Sequence, residues 1–171
     1  MADSFTVLWT SDHCNAIRRG VPRDARLDVL FGGPHQSAPS FVRYGVREGD
    51  LVYPVRVLKG ELFLVSRMRV ARIITVREYL LEHLGVDYPN EPHRIPSRYV
   101  DEAVIGAEGE PIRFDRRFPG ERLEHLRFVS KKSERGLKYI ENGLLKRAIS
   151  LQGGVYRLAP QSADEFAALF A

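Results

Sequence analysis

The spacing of hydrophobic and polar residues changes several times along the chain, and each change indicates a different element. Residues 4–10 (SFTVLWT) are rich in aromatic and β-branched side chains, which predicts a strand. A short helix is expected next, with Ser11 or Asp12 as its N-cap and its end near Arg19. Residues 32–40 (GGPHQSAPS) have the composition of a loop.

Residues 49–73 (GDLVYPVRVLKGELFLVSRMRVARI) predict a β-hairpin whose two-residue turn is Lys59-Gly60. The second strand is expected to run from Glu61 to Val70 without interruption. This register sets Tyr53 opposite Ser66, Arg56 opposite Phe63 and Val52 opposite Arg67. The hairpin carries four arginines, Arg56, Arg67, Arg69 and Arg72. They form either a solvated sheet face or a platform for nucleic acid.

Downstream of the hairpin, Thr75 and Glu78 form a capping box for a helix over 76–84, which Gly85 ends. Residues 85–121 begin with a proline-rich stretch (DYPNEPHRIPSRYV) and continue with polar residues, so they are expected to be a loop-rich insertion. The remaining elements are strands at 123–130 and 153–160 and a final helix capped by Ser162 with Glu165. This order lacks regular βαβ alternation, which favours an α+β fold with a small mixed β-barrel, in a single domain over residues 1–171.

Composition narrows the class of protein. The 171 residues carry a net charge of +4, and the basic residues are mostly arginine, which binds phosphate in a forked geometry. The single cysteine, Cys14, forms no internal disulfide, and no long apolar segment is present, so we expect a cytoplasmic protein without a membrane span. The histidines show no metal-ligand spacing, so neither a metal nor another cofactor is predicted.

Two sets of residues are candidates for contacts with nucleic acid. A base removed from its stack needs an aromatic face and polar contacts to its edge. The candidates for that pocket are Trp9, Thr10, Ser11, Tyr53, Pro54 and Ser66. The candidates for phosphate contacts are Arg56, Arg67, Arg69, Lys131 and Lys132. The structural alternatives are that Trp9 is a core residue, that Ser11 caps a helix, and that the cations form a solvated face or bind an acidic protein.

The joints between the predicted elements resemble those of the PUA-like superfamily, and within it the EVE and YTH-like domains. The resemblance rests on Leu8-Trp9-Thr10-Ser11, on Gly49-Asp50-Leu51-Val52-Tyr53, on the strand from Glu61 to Val70, and on LRFV followed by ISLQGGVYRLAPQSADEFAALF. It implies a barrel that binds DNA or RNA, with a modified or flipped base held in a pocket beside it.

A more distant resemblance is to the ASCH domains, whose pattern Gly-x-Lys-x-x-Glu-x-Arg is associated with ribonuclease activity in some members. Residues 136–143 (GLKYIENG) match three positions, but glycine stands where the arginine belongs, and the match lies late in the chain. The resemblance implies an alternative function, a ribonuclease that uses Lys138 and Glu141 as its acid and base. A surface ion pair explains the same two residues, so we expect a binding protein rather than an enzyme.

Overall fold

A computed structural model describes residues 1–83 and 99–171. Its helices are α1 (Ser11–Gly20), α2 (Val76–His83) and α3 (Pro160–Ala168), with short 3-10 helices at Gly120–His125 and Ile149–Leu151. Its longer strands are β1 (Ser4–Leu8), β2 (Val29–Gly32), β3 (Leu51–Leu58), β4 (Glu61–Leu64), β5 (Met68–Thr75) and β6 (Glu102–Ala107). Short strands follow: β7 (Phe128–Val129), β8 (Glu134–Arg135), β9 (Ile140–Glu141), β10 (Leu144–Leu145) and β11 (Val155–Arg157).

One mixed sheet organises these elements. Its strand order is β11-β1-β3-β5-β6-β2, and β4 pairs with β3 beside this path. The β1–β3 pair is parallel, and the other pairs of the sheet are antiparallel. The α+β class and the mixed sheet are therefore confirmed. Across the described residues the sheet is open rather than closed, so the predicted small barrel is not confirmed. No helix in this part of the chain is long and apolar enough to cross a membrane.

Side chains from the two faces of β3 belong to two different hydrophobic clusters. Val52 packs in a cluster with Phe5, Trp9 and Cys14. Its neighbour Tyr53 packs in a second cluster, which holds Val55, Leu62, Phe118 and Phe166. Successive side chains of a strand point to opposite faces, so β3 separates these two cores.

The hairpin forms as predicted near its turn and differs further along. Lys59 and Gly60 both have positive φ, and Arg56 pairs with Phe63. The expected pairing of Val52 with Arg67 is wrong, because β4 ends at Leu64 and Val52 pairs with Met68 at the start of β5.

Proline in β3 accounts for the interruption. Val65 donates its N–H to the Pro54 carbonyl at 2.9 Å, but Pro54 has no N–H to return the bond. The Val65 carbonyl instead accepts from the backbone N–H of Arg113 at 2.9 Å and from the Arg116 guanidinium at 3.3 Å. At this point the hairpin's second strand therefore bonds through the Val65 carbonyl to a segment much later in the chain and not to β3.

Other predicted elements need correction. Residues 101–121 were expected to be mostly loop, but they contain β6, which pairs with both β5 and β2. The rest of the predicted insertion, 84–98, lies outside the described residues. The strand expected at 123–130 is largely a 3-10 helix followed by β7. α3 begins at Pro160, and Ser162 does not cap it, because its hydroxyl accepts the N–H of Arg127 at 2.9 Å.

Asp50 ties the residue before β1 to the turn before β3. Its side chain is buried, with 3% exposed. One carboxylate oxygen accepts the N–H of Asp3 at 3.0 Å, and the other accepts the N–H of Arg47 at 2.9 Å. The Asp50 carboxylate thus holds the chain before β1 against the turn that precedes β3.

We expect Asp50→Ala to lower the free energy of unfolding by about 2–4 kcal/mol, because it leaves two N–H groups without an acceptor. Glu48→Ala is the matched control, since Glu48 is an exposed carboxylate in the same segment and its loss is expected to change stability by less than about 0.5 kcal/mol. Urea denaturation followed by circular dichroism measures both. Equal midpoints for the two variants would contradict this role of Asp50.

Candidate nucleic-acid interface

The exposed arginines of the hairpin are paired with carboxylates from other parts of the chain. Arg67 lies 3.1 Å from Glu110. Arg69 donates to Glu108 at 3.1 Å and to the Gly49 carbonyl at 2.9 Å.

Arg72 forms a two-bond pair with Glu82 of α2. With Arg67 and Arg69 already paired, the predicted phosphate platform on the hairpin is not formed by free cations.

Two of the hairpin arginines are also covered. Arg56 is 5% exposed and lies on the Trp9 side of β3. The guanidinium of Arg67 lies 4.8 Å from the ring centre of Phe170, and Arg116 lies 4.0 Å from the same ring. Arg56 is therefore enclosed, and Arg67 is largely covered, with 22% of its side chain exposed.

The residues around Trp9 form the start of α1. Trp9 is 8% exposed, and its ring meets the His13 ring edge to face at 4.7 Å. Thr10 is the N-cap, since its hydroxyl oxygen accepts the N–H of His13 at 3.1 Å, and Ser11 is the first helical residue. Trp9 thus packs as a core residue, and the expectation that Ser11 or Asp12 caps the helix is wrong by one or two positions.

Tyr53, Pro54 and Ser66 do not line a cavity with Trp9. Tyr53 is fully buried in the second hydrophobic cluster, on the opposite face of β3. Burial raises the pKa of its phenol, an effect opposed by nearby Arg67. The Ser66 hydroxyl, also buried, donates to the Glu110 carbonyl at 2.7 Å. A shared base pocket between Trp9 and Tyr53 is therefore not formed.

Free positive charge gathers at a different place, beside β1, β7 and β11. A groove of about 600 Å³ lies there. We call it the basic groove and define it by five cations around two tyrosines: Arg43, Arg47, Lys131, Arg135, Arg157, Tyr44 and Tyr156. Asp3 is the acidic residue in its lining, and it lies 3.5 Å from Arg157. Among the described residues no carboxylate pairs with Arg43, Arg47 or Lys131.

Contacts with the Tyr156 ring hold Arg135 and Tyr44 in place in the basic groove. The Arg135 guanidinium lies 4.6 Å from the ring centre of Tyr156 and donates to the Ser150 carbonyl at 2.9 Å. Tyr44 meets Tyr156 edge to face at 5.8 Å. Gly154 permits this approach, because a Cβ there would lie 2.7 Å from the Tyr156 hydroxyl and 2.8 Å from the Tyr44 ring. Burial, and to a lesser degree Tyr44, raises the pKa of Tyr156, which therefore stays a neutral phenol.

The hydroxyls of the two tyrosines bond to the backbone of the loop before β11. Tyr156 donates to the Gln152 carbonyl at 2.7 Å, and Tyr44 donates to the Gly153 carbonyl at 3.2 Å. Since the hydroxyls are held in this way, the ring positions are defined before any ligand binds. The exposed part of Tyr44, 38% of the side chain, faces solvent beside free cations.

Sequence reasoning found one wall of the basic groove and missed the rest. Lys131 lies in it, at the turn between β7 and β8, whereas Lys132 is exposed at the same turn but does not line the groove. Arg43, Tyr44 and Arg47 were not selected. Their signal is the alternation of arginine and tyrosine in VRYGVR (42–47), a pattern of cations around an aromatic that suits single-stranded nucleic acid.

Lys138 and Glu141 do not form an ion pair in the part of the chain that the structure describes. Both side chains are exposed. Glu141 lies on β9, and the turn to β10 runs through Asn142 and Gly143, both with positive φ. Lys138 is tied by its backbone N–H to the Ser150 hydroxyl at 3.0 Å. The geometry therefore brings no acid–base pair together at the partial ASCH pattern.

No protein-family model matches this sequence, and no curated protein does. Among solved structures, the fold is similar to an ASCH protein from Zymomonas mobilis, with 9% identity, a TM-score of 0.49, and coverage of 97% of this chain and 94% of that chain. A tyrosine-to-phenylalanine variant of that protein has 13% identity, a TM-score of 0.43 and coverage of 87% and 98%. A serine-to-alanine variant has 14% identity, a TM-score of 0.38 and coverage of 87% and 96%.

These three neighbours are ASCH domains, and neither an EVE nor a YTH-like protein is among them. At such identities and TM-scores no residue role and no activity passes from them to this chain. The residues of the basic groove are therefore what indicates a function for this chain.

We expect Trp9→Ala to lower the free energy of unfolding by about 3–5 kcal/mol, as for other large core aromatics. Affinity for nucleic acid, measured per folded molecule, should stay unchanged, because Trp9 does not line the basic groove. Thermal melting and a titration of single-stranded oligonucleotide test the two halves. If the variant is stable but binds the oligonucleotide more weakly, this expectation is wrong and Trp9 contacts a base, as predicted from the sequence.

The burial of the His13 ring predicts that the protein loses stability in acid. Burial lowers its pKa from 6.5 to about 4, so between these values the unfolded chain takes up a proton that the folded chain does not. Stability is therefore full above pH 6.5 and falls by roughly 3 kcal/mol as the pH drops toward 4.

Urea denaturation at pH 7 and at pH 4.5 tests this contribution. His13→Phe keeps an aromatic contact with Trp9 and should lose less stability on acidification than the wild type does. His125→Phe is the control, because His125 is exposed on a 3-10 helix. An equal acid loss in the wild type and in His13→Phe would exclude His13 as its source.

Proposed function

We propose that this protein binds single-stranded RNA through the basic groove. The observation that carries the proposal is the meeting of five cations and two tyrosines in one groove with a single carboxylate. Arginine and lysine neutralise phosphates, and aromatic rings offer bases a stacking surface that does not depend on sequence. Cations interleaved with aromatics are the arrangement that single-stranded nucleic acid needs.

The electrostatics of the groove support the same ligand. The charges on Arg43, Arg47 and Lys131 come from two separate segments, the loop that also carries Tyr44 and the turn between β7 and β8. Arg135 is already held against the Tyr156 ring, so its position does not depend on the ligand. The sugar-phosphate backbone of a nucleic acid that crosses between these two segments passes free cations from each of them.

A cavity beside the groove supports the placement of one base. It has a volume of about 650 Å³ and shares Tyr156 with the basic groove. Its lining includes the side chains of Thr10, Gln36 and Gln152, which offer donors and acceptors to a base edge. Thr10, predicted from the sequence as a contact to a base, therefore has a place in this proposal although Trp9 does not. A flipped or modified base would occupy this cavity.

We expect affinity for a fluorescent single-stranded RNA to fall about 50-fold between 50 and 200 mM salt if roughly four phosphates are neutralised. The double variant Arg43→Ala with Arg47→Ala should bind more weakly at low salt. It should also show a slope of log K against log salt that is shallower by about 1.4, because two phosphate contacts are lost. Fluorescence anisotropy measures both quantities.

The matched control is Arg69→Ala with Arg72→Ala, which removes the same charge from arginines that are paired with Glu108 and Glu82. This control should keep the wild-type slope. If the hairpin double variant loses affinity and the groove variant does not, the hairpin is the binding surface and the proposal fails. The same oligonucleotide made as DNA measures the preference between RNA and DNA.

A further inference from the structure

A second place where positive charge collects lies on the other side of the molecule's first core, around Phe114. The guanidinium of Arg18, on α1, lies 4.3 Å from the centre of the Phe114 ring. The guanidinium of Arg56, on β3, lies 5.8 Å from the same centre. Among the described residues neither arginine has a carboxylate partner. Two elements and one loop thus bring two unneutralised cations to a single aromatic ring.

Arg56 is the unusual member of this group. Its side chain is 5% exposed, and its Nε is fully buried without a hydrogen bond. The nearby thiol of Cys14 is itself buried, and burial raises its pKa to about 11, so it supplies no negative charge to Arg56. A guanidinium is removed from water at considerable cost unless an anion accepts its hydrogen bonds. In the described part of the chain, the buried Nε of Arg56 lacks the acceptor that it requires.

A groove of about 760 Å³ leads to this pair. We call it the Phe114 groove and define it by its charged lining and the ring: Arg18, Arg23, Asp24, Arg113, Phe114 and Asp115. Phe114 lines this groove whereas Arg56 does not, so the ring lies between solvent and the buried guanidinium. Arg113 and Asp115 neutralise each other at 2.8 Å, which leaves Arg18 and Arg23 against Asp24.

We propose that the Phe114 groove binds a phosphate group, which Arg18 and Arg56 hold when the Phe114 ring turns aside. Guanidinium groups match phosphate oxygens in a forked, two-bond geometry. A phosphate monoester carries about 1.5 to 2 negative charges near neutral pH, which matches two cations better than a carboxylate does. The phosphate belongs to a small molecule or to the end of a nucleic acid, and both present the same group. This site is separate from the basic groove and does not depend on RNA binding there.

Thermal melting in inorganic phosphate and in chloride, at equal ionic strength, tests the site. At a phosphate concentration ten times the Kd, the wild-type melting temperature should rise by about 3–6 °C. Acetate at the same ionic strength should give a smaller rise. Arg18→Met and Arg56→Met should both abolish the phosphate-dependent rise. Arg19→Met is the matched control, because Arg19 is an exposed neighbour on α1 that does not contact Phe114, and it should keep the full rise.

A second expectation for Arg56→Met concerns its melting temperature in chloride, which should fall if Arg56 has only a structural role. Replacing an unpaired buried cation with an apolar side chain of similar length is often neutral or stabilising, so this variant should melt no lower than the wild type in chloride. A nucleoside monophosphate, and an RNA oligonucleotide with and without a 5′-phosphate, distinguish the two sources of the group.

Two results would overturn the proposal. The first is a wild-type melting temperature that phosphate does not change, or a rise that both Arg18→Met and Arg56→Met retain. The second is an Arg56→Met variant that melts lower in chloride while Arg18→Met keeps its phosphate response, since Arg56 would then serve packing alone.

Discussion

Burial of β3 on both of its faces divides the interior of this protein in two. β1 lies parallel to β3 on one side, β4 and β5 pair with it on the other, and five of its eight residues, 52–56, are buried. Neighbouring residues of a strand point in opposite directions, so Val52 and Tyr53 enter different cores. This single geometric fact separates Trp9 from Tyr53. It also places Arg56 on the same face of β3 as Val52, where Arg56 is buried.

The proline in β3 decides how the later part of the chain joins the sheet. Pro54 leaves the Val65 carbonyl without a partner on β3, and the backbone of Arg113 supplies one. This bond holds the segment after β6 against the end of the hairpin. The same segment brings Glu108 and Glu110 to Arg69 and Arg67, and Phe114 to Arg56. The segment after β6 thus supplies the carboxylates that pair with Arg67 and Arg69, whereas Arg72 pairs with Glu82 of α2.

The number of arginines in a segment does not decide where free positive charge lies on this surface. Ion pairing with carboxylates decides it. The hairpin holds more arginines than the basic groove draws from any single segment, yet its exposed guanidinium groups meet carboxylates. The basic groove collects cations from the loop before β3, the turn between β7 and β8, and β11, where Asp3 is the acidic neighbour. Gly154 and the carbonyls of Gln152 and Gly153 hold its two tyrosines in place. Free charge and ordered rings therefore coincide where several short segments meet.

Local sequence determined the elements whose stabilising contacts are themselves local. The Lys59-Gly60 turn and the Thr75–Glu78 capping box are formed by neighbours in sequence, and each appears where the pattern predicts it. The α+β class follows from the same signals, and Lys131 was selected because a strand carries it to the surface. The open sheet, the end of β4 at Leu64 and the strand at β6 depend on pairing between distant segments, which periodicity does not encode.

The candidate site was decided almost entirely by tertiary structure. The sequence alone does not tell whether a distant carboxylate neutralises an arginine. Glu110 pairs with Arg67, whereas no carboxylate among the described residues pairs with Arg43. Trp9 and Tyr53 are likewise both aromatic residues at strand positions, and the two faces of β3 assign them to separate cores. Residue type and spacing determined which side chains could bind a phosphate or a base. The pairing of distant segments decided which of them remain free to do so, because burial and neutralisation depend on contacts made in space.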